Sequence, residues 1–373
     1  MKILFITEYI NAPGQGAFMV ANAHYNSFSE IFGKDNVDVV SIRTSNFNNN
    51  NNNYINLCGY NNRIDRLKNL LTGFPPFMSK SVEKNILNIV KEKKYDLIYF
   101  DNCYFGTTIK KLKKMNFDLK IWTFYHGVQA NSSRQLIKRN LLKPQTVLSS
   151  INNMKQEKLA TKYSDKCILL NERESNELFK YYKRKADYLL PVYYNDTAKI
   201  YEVEENNEFR ILFLGGYFWP NIIGITWFAK NVMPYINSKA KLYIVGREME
   251  KLDDECFNAK NIKVIGGTDD LDYWYNSSNI AIGPIFNGDG MKTKTAEALM
   301  YGKKFIGTDE ALCGYVGLDE YRCNTKEEFI TKINELIDKK IEKYDDNMRK
   351  LYEKYYSPES AKTIIQIILN SEA

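Results

Sequence analysis

The sequence predicts an α/β protein with two Rossmann-like domains, from its length, its composition and its alternation of strands with helices. The chain has 373 residues, enough for two domains of ordinary size. Hydrophobic residues make up 44% and charged residues 26%, a balance typical of globular proteins. Short apolar segments alternate with helix-length segments, which is the pattern of βαβ units.

Five strands are predicted in the first half of the chain, each rich in Ile, Leu, Val or aromatic residues. They cover residues 2–7, 37–43, 95–101, 119–126 and 166–171. Helix-length segments cover residues 17–32, 79–91, 107–114 and 172–182. Because strands that alternate with helices form parallel sheets covered on both faces, we expect an N-terminal Rossmann-like domain over residues 1–195.

The second half repeats this alternation. Its predicted strands cover residues 209–215, 241–246, 262–265, 280–284 and 304–307. The polar, acid-rich stretch 195–208 is interpreted as a linker to a second Rossmann-like domain over residues 196–356. Ser357, Pro358 and Glu359 form a helix-start pattern, so a helix is predicted within residues 357–373.

One low-complexity segment interrupts the first half, at residues 46–53, where seven asparagines surround Phe47. So polar a segment cannot bury a core, and it is predicted to be a mobile loop. Compositional drift in an AT-rich genome accounts for it without any function.

Several classes of protein are excluded by what the sequence lacks. No run of 18 apolar residues exists, so no transmembrane helix is expected, and the N-terminus is interpreted as a strand rather than a signal peptide. The six cysteines form no CxxC pair, so a disulfide framework or zinc site is not expected and reduced thiols of a cytoplasmic protein are. Only His24 and His126 exist, which excludes a multi-histidine metal site.

Charge is unevenly distributed between the halves. Residues 1–200 carry a net charge of +13 and residues 201–373 a net charge of −6. Lysine and arginine cluster at residues 110–114, 138–143 and 180–185, either as a surface for the anionic inner face of a membrane or as solvated helix faces. Aromatic residues do not interleave with these clusters, so no nucleic-acid partner is expected.

Two glycine turns follow predicted strands in the second half, where open parallel sheets bind ligands. At the first, Gly215 and Gly216 permit close backbone approach before Pro220, which suits a helix start. At the second, Arg247 follows a strand and a glycine. The Arg247 guanidinium either grips a phosphate or forms an exposed salt bridge, and the sequence leaves both open.

A third turn, residues 287–292, follows the strand 280–284 and leads into a helix. Gly288 and Gly290 let the backbone approach a ligand, and a helix N-terminus favours anions. Nearby charge comes from Lys292 and Lys294. The turn therefore predicts an anion site, most simply for a diphosphate, that includes Met291 and Thr293. Asp289 and Glu297 lie eight residues apart and are candidate acceptors for ligand hydroxyls.

These residues resemble the group 1 glycosyltransferases of GT-B fold (glycosyltransferase family 4 and its relatives). In that family a glycine-rich loop and a carboxylate precede Glu-Ala-Leu, as Gly288-Asp289-Gly290 precede Glu297-Ala298-Leu299 here. The segments Leu214-Gly215-Gly216, Trp219-Pro220-Asn221 and Trp227-Phe228 also match. The resemblance implies that Glu297 binds the nucleotide ribose and that the loop 287–292 contacts the donor sugar and diphosphate. It further implies two domains facing across a cleft, with the C-terminal helix crossing back to the first.

In the first domain, the resemblance implies that His126, at a strand end, faces the donor sugar. It implies that Gly14, Gln15 and Gly16 lie at the acceptor side. They are no dinucleotide fingerprint, because Met19 stands where GxGxxG needs its third glycine, which disfavours a nicotinamide dehydrogenase.

Two positions depart from the family pattern. The first carboxylate is Asp289 where glutamate is common, and the turn 215–221 lacks the basic residue that many members have. Arg247, Lys292 and Lys294 are the candidates to supply that charge. Asp270 and Asp272 spell DxD, which is interpreted as a helix cap rather than a metal site.

The function implied is transfer of a sugar from a nucleotide-sugar donor to a glycan or lipid-linked glycan, in bacterial surface polysaccharide synthesis. Retention at the anomeric carbon is implied, with no metal and no cofactor beyond the donor, for which UDP-sugars are favoured and GDP- or dTDP-sugars are alternatives. His126, Asp289 and Lys292 are the predicted catalytic residues. A non-catalytic nucleotide-sugar or glycan-binding partner and a GT-B-fold epimerase remain alternatives.

Overall fold

The computed structural model describes residues 1–11, 16–44, 54–116, 118–203 and 208–371. The predicted loop 46–53 lies outside these residues, as do Gly14 and Gln15 of the predicted acceptor side and part of the predicted linker. In the described part of the chain, no helix combines the length and the apolar character needed to span a membrane.

The chain divides into two units, each with one parallel sheet and flanking helices. Residues 1–191 and 361–373 form the first unit, and residues 192–360 form the second. The predicted fold class, two Rossmann-like α/β units, is therefore confirmed. The final helix begins in the second unit, but residues 361–373 group with the first, where Lys362 pairs with Glu30 at 2.7 Å.

The first unit contains a seven-stranded sheet with the order β3-β2-β1-β4-β5-β6-β7. Its strands are β1 (Ile3–Thr7), β2 (Val37–Thr44), β3 (Ile55–Tyr60), β4 (Leu97–Phe100), β5 (Lys120–Tyr125), β6 (Lys166–Leu169) and β7 (Tyr188–Leu189). Its helices are α1 (Gly16–Phe32), α2 (Arg63–Leu71), α3 (Lys80–Glu92), α4 (Gly106–Met115), α5 (Gln129–Arg139), α6 (Pro144–Tyr163) and α7 (Glu172–Tyr182). The central strands are fully buried, and Phe5 stacks on Tyr99 with ring centroids 5.1 Å apart.

The second unit contains a five-stranded sheet with the order β10-β9-β8-β11-β12. Its strands are β8 (Phe209–Leu214), β9 (Ala240–Val245), β10 (Ile262–Gly266), β11 (Ile280–Gly283) and β12 (Lys304–Gly307). Its helices are α8 (Trp219–Asn231), α9 (Leu271–Ser277), α10 (Thr293–Met300), α11 (Lys326–Asp338) and α12 (Asp346–Tyr355), followed by α13 (Pro358–Asn370).

All ten predicted strands are present, with ends that differ from the prediction by at most two residues. The structure adds β3 and β7, which the sequence pattern did not indicate. Both lie at the edges of the first sheet and most of their residues are only partly buried, so neither has the apolar run of a central strand. Helix α6 was also missed, because α2, α4 and α5 all pack against it and its apolar residues therefore form no single stripe.

Parallel strands bring their carboxyl ends to one edge of each sheet, and the predicted site residues follow those ends. In the first unit they follow β1 and β5. In the second unit they follow β8, β9 and β11. The loop after β11 leads into α10, a short helix of strong helix formers that ends before Gly302, where φ is 62°.

Candidate functional site

The turn after β8 is held tightly against the turn after β9. The Gly215 amide donates to the Val245 carbonyl at 2.9 Å, and the Asn221 side-chain amide donates to the Gly216 carbonyl at 2.8 Å. A Cβ on Gly215 would lie 2.9 Å from both Asn221 Nδ2 and Lys294 Nζ. A side chain at position 215 would therefore displace the ends of Asn221 and Lys294, and the structure brings the predicted residues Gly215, Gly216 and Lys294 together.

Lys294 presents a cation at the first turn of α10. Its Nζ donates to Asn221 Oδ1 at 2.9 Å and lies 4.5 Å from the centroid of the Phe213 ring. Burial, followed by repulsion from Lys292, lowers the pKa of Lys294 to about 7. The ammonium therefore titrates near neutral pH, and a bound anion would stabilise its charged form.

Glu297 lies one helical turn after Lys294, on the same face of α10. Its Oε2 accepts a hydrogen bond from the Tyr275 hydroxyl at 2.9 Å, and Tyr275 stacks on Tyr301 with ring centroids 4.3 Å apart. Burial raises the pKa of Glu297 to about 7, although Tyr275 and Lys294 oppose that shift. The carboxylate is thus held in a fixed orientation by an aromatic pair that the sequence did not indicate.

The loop between β11 and α10 depends on two glycines, with φ of 154° at Gly288 and 67° at Gly290. Lys292 bridges this loop, because its Nζ donates to the Asp289 carbonyl at 2.9 Å and pairs with Glu310 at 2.6 Å. The Lys292 ammonium therefore holds the loop in shape. Asp289 is partly buried in the same loop, and the catalytic roles of Asp289 and Lys292 stay predictions.

The N-terminus of α10 has some of its amides already bonded. The Thr295 amide donates to the Lys292 carbonyl at 3.0 Å, and the Ala296 amide donates to the Tyr315 hydroxyl at 3.2 Å. An anion at this helix end would therefore use the amides of residues 291–294, which include Met291 and Thr293. The positive end of the helix dipole favours such an anion.

Arg247 differs from the other predicted cations because it is exposed. Its carbonyl accepts from the Tyr217 amide at 2.9 Å, so its backbone supports the turn after β8. Among the described residues its guanidinium has no ion-pair partner, and a contact between Arg247 and a phosphate stays a prediction. The DxD pair is a cap, as predicted: Asp270 accepts from the Tyr273 amide at 2.9 Å, and Asp272 accepts from the Tyr301 hydroxyl at 2.7 Å.

In the first unit, His126 follows β5 and lies against a buried carboxylate. Its Nε2 is 3.6 Å from Asp101 Oδ1, while His24 Nδ1 is 3.2 Å from the same oxygen. Thr7 donates to Asp101 Oδ2 at 2.8 Å. Burial alone would raise the pKa of Asp101, but His126 and His24 lower it overall. Asp101 therefore anchors both histidines of the chain.

Glu8 forms a second acidic group beside this cluster. Its Oε1 accepts from Asn102 Nδ2 at 3.0 Å, and the same Nδ2 lies 3.0 Å from the Tyr9 hydroxyl oxygen. Burial, reinforced by the charge of Asp101, raises the pKa of Glu8 to about 8. Its buried Oε2 has no hydrogen-bond partner among the described residues. Glu8 is therefore poised to exchange a hydrogen bond with a ligand.

Two buried glutamates fix the turn that follows His126. Glu174 accepts from the Val128 amide at 2.7 Å, while Glu157 accepts from the amides of Gln129 and Ala130 at 2.7 and 2.9 Å. These contacts cap α5, whose own N-cap side chain makes no hydrogen bond. The predicted acceptor-side residue Gly16 begins α1.

The sequence alone did not identify Glu8, His24, Asp101, Glu157 or Tyr275 as site residues. Glu8 and Asp101 are the two that a signal could have revealed, because each is an acid at the end of a predicted strand. Within the described ranges, no group of three or more His, Cys, Asp or Glu side chains is arranged to hold a metal ion.

Residues 208–339 match the family model described as glycosyl transferases group 1. No curated protein matches the chain. The predicted resemblance is thus confirmed for the part of the second unit that contains the Lys294 and Glu297 site, and the chain contains a group 1 glycosyltransferase domain at residues 208–339.

Solved structures with the GT-B fold are similar along the whole chain. Sucrose-phosphate synthase from Thermosynechococcus elongatus has a TM-score of 0.76 at 16% identity, covering 100% of this chain and 98% of that one. Anabaena HepE, in complex with UDP and glucose, has a TM-score of 0.68 at 12% identity with both chains fully covered. The lipopolysaccharide outer core galactosyltransferase WaaB, in its apo form, has a TM-score of 0.65 at 14% identity, again with both chains covered in full. At these identities the likeness shows the fold.

Proposed function

We propose that this glycosyltransferase transfers a sugar from a nucleotide-sugar donor to a glycan or a lipid-linked glycan, in the synthesis of a bacterial surface polysaccharide. The observation that carries the proposal is the pairing of Lys294 and Glu297 on one face of α10. They provide one cation and one carboxylate beside a glycine loop, within the segment that matches the family model. A nucleoside diphosphate presents phosphates to Lys294 and ribose hydroxyls to Glu297.

The donor's diphosphate would bind at the N-terminus of α10. The amides of residues 291–294 and the Lys294 ammonium are its ligands, and the exposed Arg247 is a further cation after β9. The ribose hydroxyls would donate to Glu297, whose orientation Tyr275 fixes at 2.9 Å. UDP is the favoured nucleotide, since HepE is in complex with UDP, and GDP and dTDP are the alternatives.

The chemical step breaks the bond between the sugar's anomeric carbon and the diphosphate oxygen. Negative charge then grows on the diphosphate, and the helix dipole and Lys294 stabilise it without reorganising. Such preorganised stabilisation is usually the largest catalytic term, so no metal is required by this proposal. The acceptor hydroxyl forms the new bond and gives its proton to the departing diphosphate, with retention at the anomeric carbon.

The first unit would bind the acceptor and orient the sugar. His126 contacts the sugar in this proposal, held by Asp101 at 3.6 Å and by the capped turn after it. Glu8, with an oxygen that has no partner among the described residues, would bind an acceptor hydroxyl. We propose that the enzyme acts in the cytoplasm, at the inner face of the membrane where lipid-linked acceptors lie.

Nucleotide binding tests the donor site directly. Titration calorimetry with UDP, GDP, dTDP and CMP, in the presence of EDTA, should show one preferred nucleoside diphosphate. Glu297→Gln should weaken that nucleotide about tenfold, because one charge-assisted hydrogen bond to ribose is lost. The exposed Glu327→Gln on α11 is the matched control and should bind like wild type. Equal binding by Glu297→Gln and wild type would overturn the assignment.

A further inference from the structure

Helix α2 carries an apolar stripe that faces away from the core. Ile64, Leu67 and Leu71 recur at the spacing of one helix face, and Ile64 and Leu71 are 66% and 69% exposed. The buried residues of α2 are Asn69, on the opposite side of the helix, and Leu70, which lies between Arg63 and Arg66. Folding of the unit therefore leaves this stripe uncovered in the described structure.

Cations border the stripe. At about 100° per residue, Arg63 and Lys68 fall on either side of the apolar residues, and Arg66 lies beyond Arg63. All three side chains are exposed, and within the described part of the chain none has an ion-pair partner. Apolar side chains between free cations are the pattern of a helix that lies on a membrane surface.

The turn between α5 and α6 repeats this combination. Leu141 is 70% exposed and Leu142 is 96% exposed, and they lie between the exposed Lys138 and Lys143. The sequence has no acidic residue between Asp118 and Glu157, so nothing in this segment offsets its positive charge. Burial of this leucine pair therefore contributes little to the stability of the unit.

Both segments adjoin α6 at the carboxyl edge of the sheet. Asn152 of α6 donates to the carbonyls of Leu70 and Phe74 at 2.8 and 3.0 Å, which fixes α2 against it. Helix α2 begins after β3, at the edge of the sheet where the strands end. Helix α6 leads into the start of β6, so α6 ends at the other edge and begins at the edge where the strands end. Both helices therefore begin at the edge that holds His126. We name this set the apolar-cationic surface; it consists of Ile64, Leu67, Leu71, Leu141 and Leu142 with Arg63, Arg66, Lys68, Lys138 and Lys143.

The other basic clusters of the first unit are partly paired with acidic side chains. In residues 110–114, Lys111 pairs with Glu83 at 2.5 Å and Lys113 with Asp165 at 3.0 Å. In residues 180–185, Arg184 pairs with Asp187 at 2.7 Å. Of the three clusters, residues 138–143 are the one in which exposed leucines accompany lysines that have no ion-pair partner among the described residues.

We propose that the apolar-cationic surface docks the first unit onto an anionic lipid bilayer, with the leucines in the acyl boundary and the cations at the headgroups. The charge pattern favours this occupant, because a symmetric contact between two copies of this surface would place like charges face to face. A single-stranded nucleic acid would call for stacking aromatics, whereas the apolar residues here are aliphatic. The inference rests on the proposed function only in that a lipid-linked acceptor gives the docking a purpose.

Vesicle co-sedimentation tests the surface. Wild type should bind vesicles of equal parts phosphatidylglycerol and phosphatidylcholine at least tenfold more tightly than pure phosphatidylcholine, and less tightly as salt rises. Leu141→Ser/Leu142→Ser and Lys138→Glu/Lys143→Glu should each lower the affinity at least about tenfold. These side chains are exposed, so circular dichroism and UDP binding should stay those of wild type.

Matched controls separate the surface from general effects. Lys91→Glu/Lys94→Glu makes the same charge change at the opposite edge of the sheet, before β4. Ile367→Ser removes an exposed aliphatic residue of α13. Both control variants should bind vesicles like wild type. Equal vesicle binding by all variants, no binding by wild type, or a dimer in sedimentation velocity that the leucine variant abolishes would overturn the proposal. Failure of the wild type to bind UDP would instead overturn the proposed function.

Discussion

The two units place their polar clusters at the same edge of a parallel sheet, yet they treat charge in opposite ways. In the first unit, His126 and His24 surround Asp101 and lower its pKa despite complete burial. In the second unit, burial brings the pKa values of both Lys294 and Glu297 to about 7. Asp101 in the first cluster is therefore charged before any ligand arrives, whereas Lys294 and Glu297 of the second cluster can change protonation when a ligand binds.

The largest expected effect comes from removing the charge of the first cluster. Asp101→Asn should lower the rate of sugar transfer roughly a hundredfold, the size of effect seen when one preorganised electrostatic group is lost. UDP affinity should be unchanged, because Asp101 lies in the other unit. Steady-state kinetics and calorimetry measure the two quantities, with the exposed Asp118→Asn as the control for a lost aspartate. Normal transfer by Asp101→Asn would contradict the role given to the His126 cluster.

Substitutions at the second cluster should change the affinity for UDP rather than the rate of sugar transfer. Lys294→Met removes the cation and should weaken UDP roughly tenfold to a hundredfold, the range for a hydrogen bond to a charged group. Lys260→Met, at an exposed position of the same unit, serves as the control for a lost lysine. An unchanged dissociation constant in Lys294→Met would exclude this ammonium from the diphosphate site.

Glu8 of the first cluster should make the free energy of unfolding depend on pH. The pKa of Glu8 is about 8 in the folded state, above the usual glutamate value. Between about pH 4.5 and pH 8 the folded state therefore keeps this proton while the unfolded state loses it, and rising pH favours unfolding. The wild type should therefore lose stability across that window. Glu8→Gln mimics the neutral form and should be more stable than wild type by up to about 4 kcal/mol at pH 8, with little difference at pH 4.5. Urea unfolding at both pH values checks this, and an equal difference at both would count against a neutral Glu8.

The smallest effect is expected at Tyr275, which orients Glu297 without contacting the ligand in our proposal. Tyr275→Phe keeps the stack on Tyr301 but removes the hydrogen bond, so UDP should bind about two- to fivefold more weakly. Calorimetry resolves this difference. A loss as large as that in Lys294→Met would mean that the Tyr275 hydroxyl itself contacts the nucleotide.

The contrast also explains what the sequence could predict. The second cluster is local: the loop 287–292, Lys294 and Glu297 are consecutive, so their spacing on a loop and a helix places them together. The first cluster joins the ends of β1, β4 and β5 with His24 of α1. No spacing reveals that Glu8, Asp101 and His126 meet, because only the strand order brings them side by side.

The elements of the fold also differ in how far the sequence predicts them. Central strands were predictable because burial on both faces demands continuous apolar residues. Edge strands β3 and β7 and the enclosed helix α6 were not, because their surroundings, rather than their own periodicity, stabilise them. The sequence indicated part of the proposed apolar-cationic surface as the basic cluster 138–143. The exposure of Leu142 distinguishes this cluster from the other two.

The pH dependence of UDP affinity tests the central claim most directly, that Lys294 is the ammonium that receives the diphosphate. The pKa of Lys294 is about 7 without ligand, and UDP is fully ionised above that pH, so binding must take up a proton on the alkaline side. We predict that the dissociation constant of wild type rises between pH 7 and 9, approaching tenfold per pH unit, and that Lys294→Met shows no such slope. A wild-type affinity that is flat over this range, or the same slope in Lys294→Met, would contradict the account.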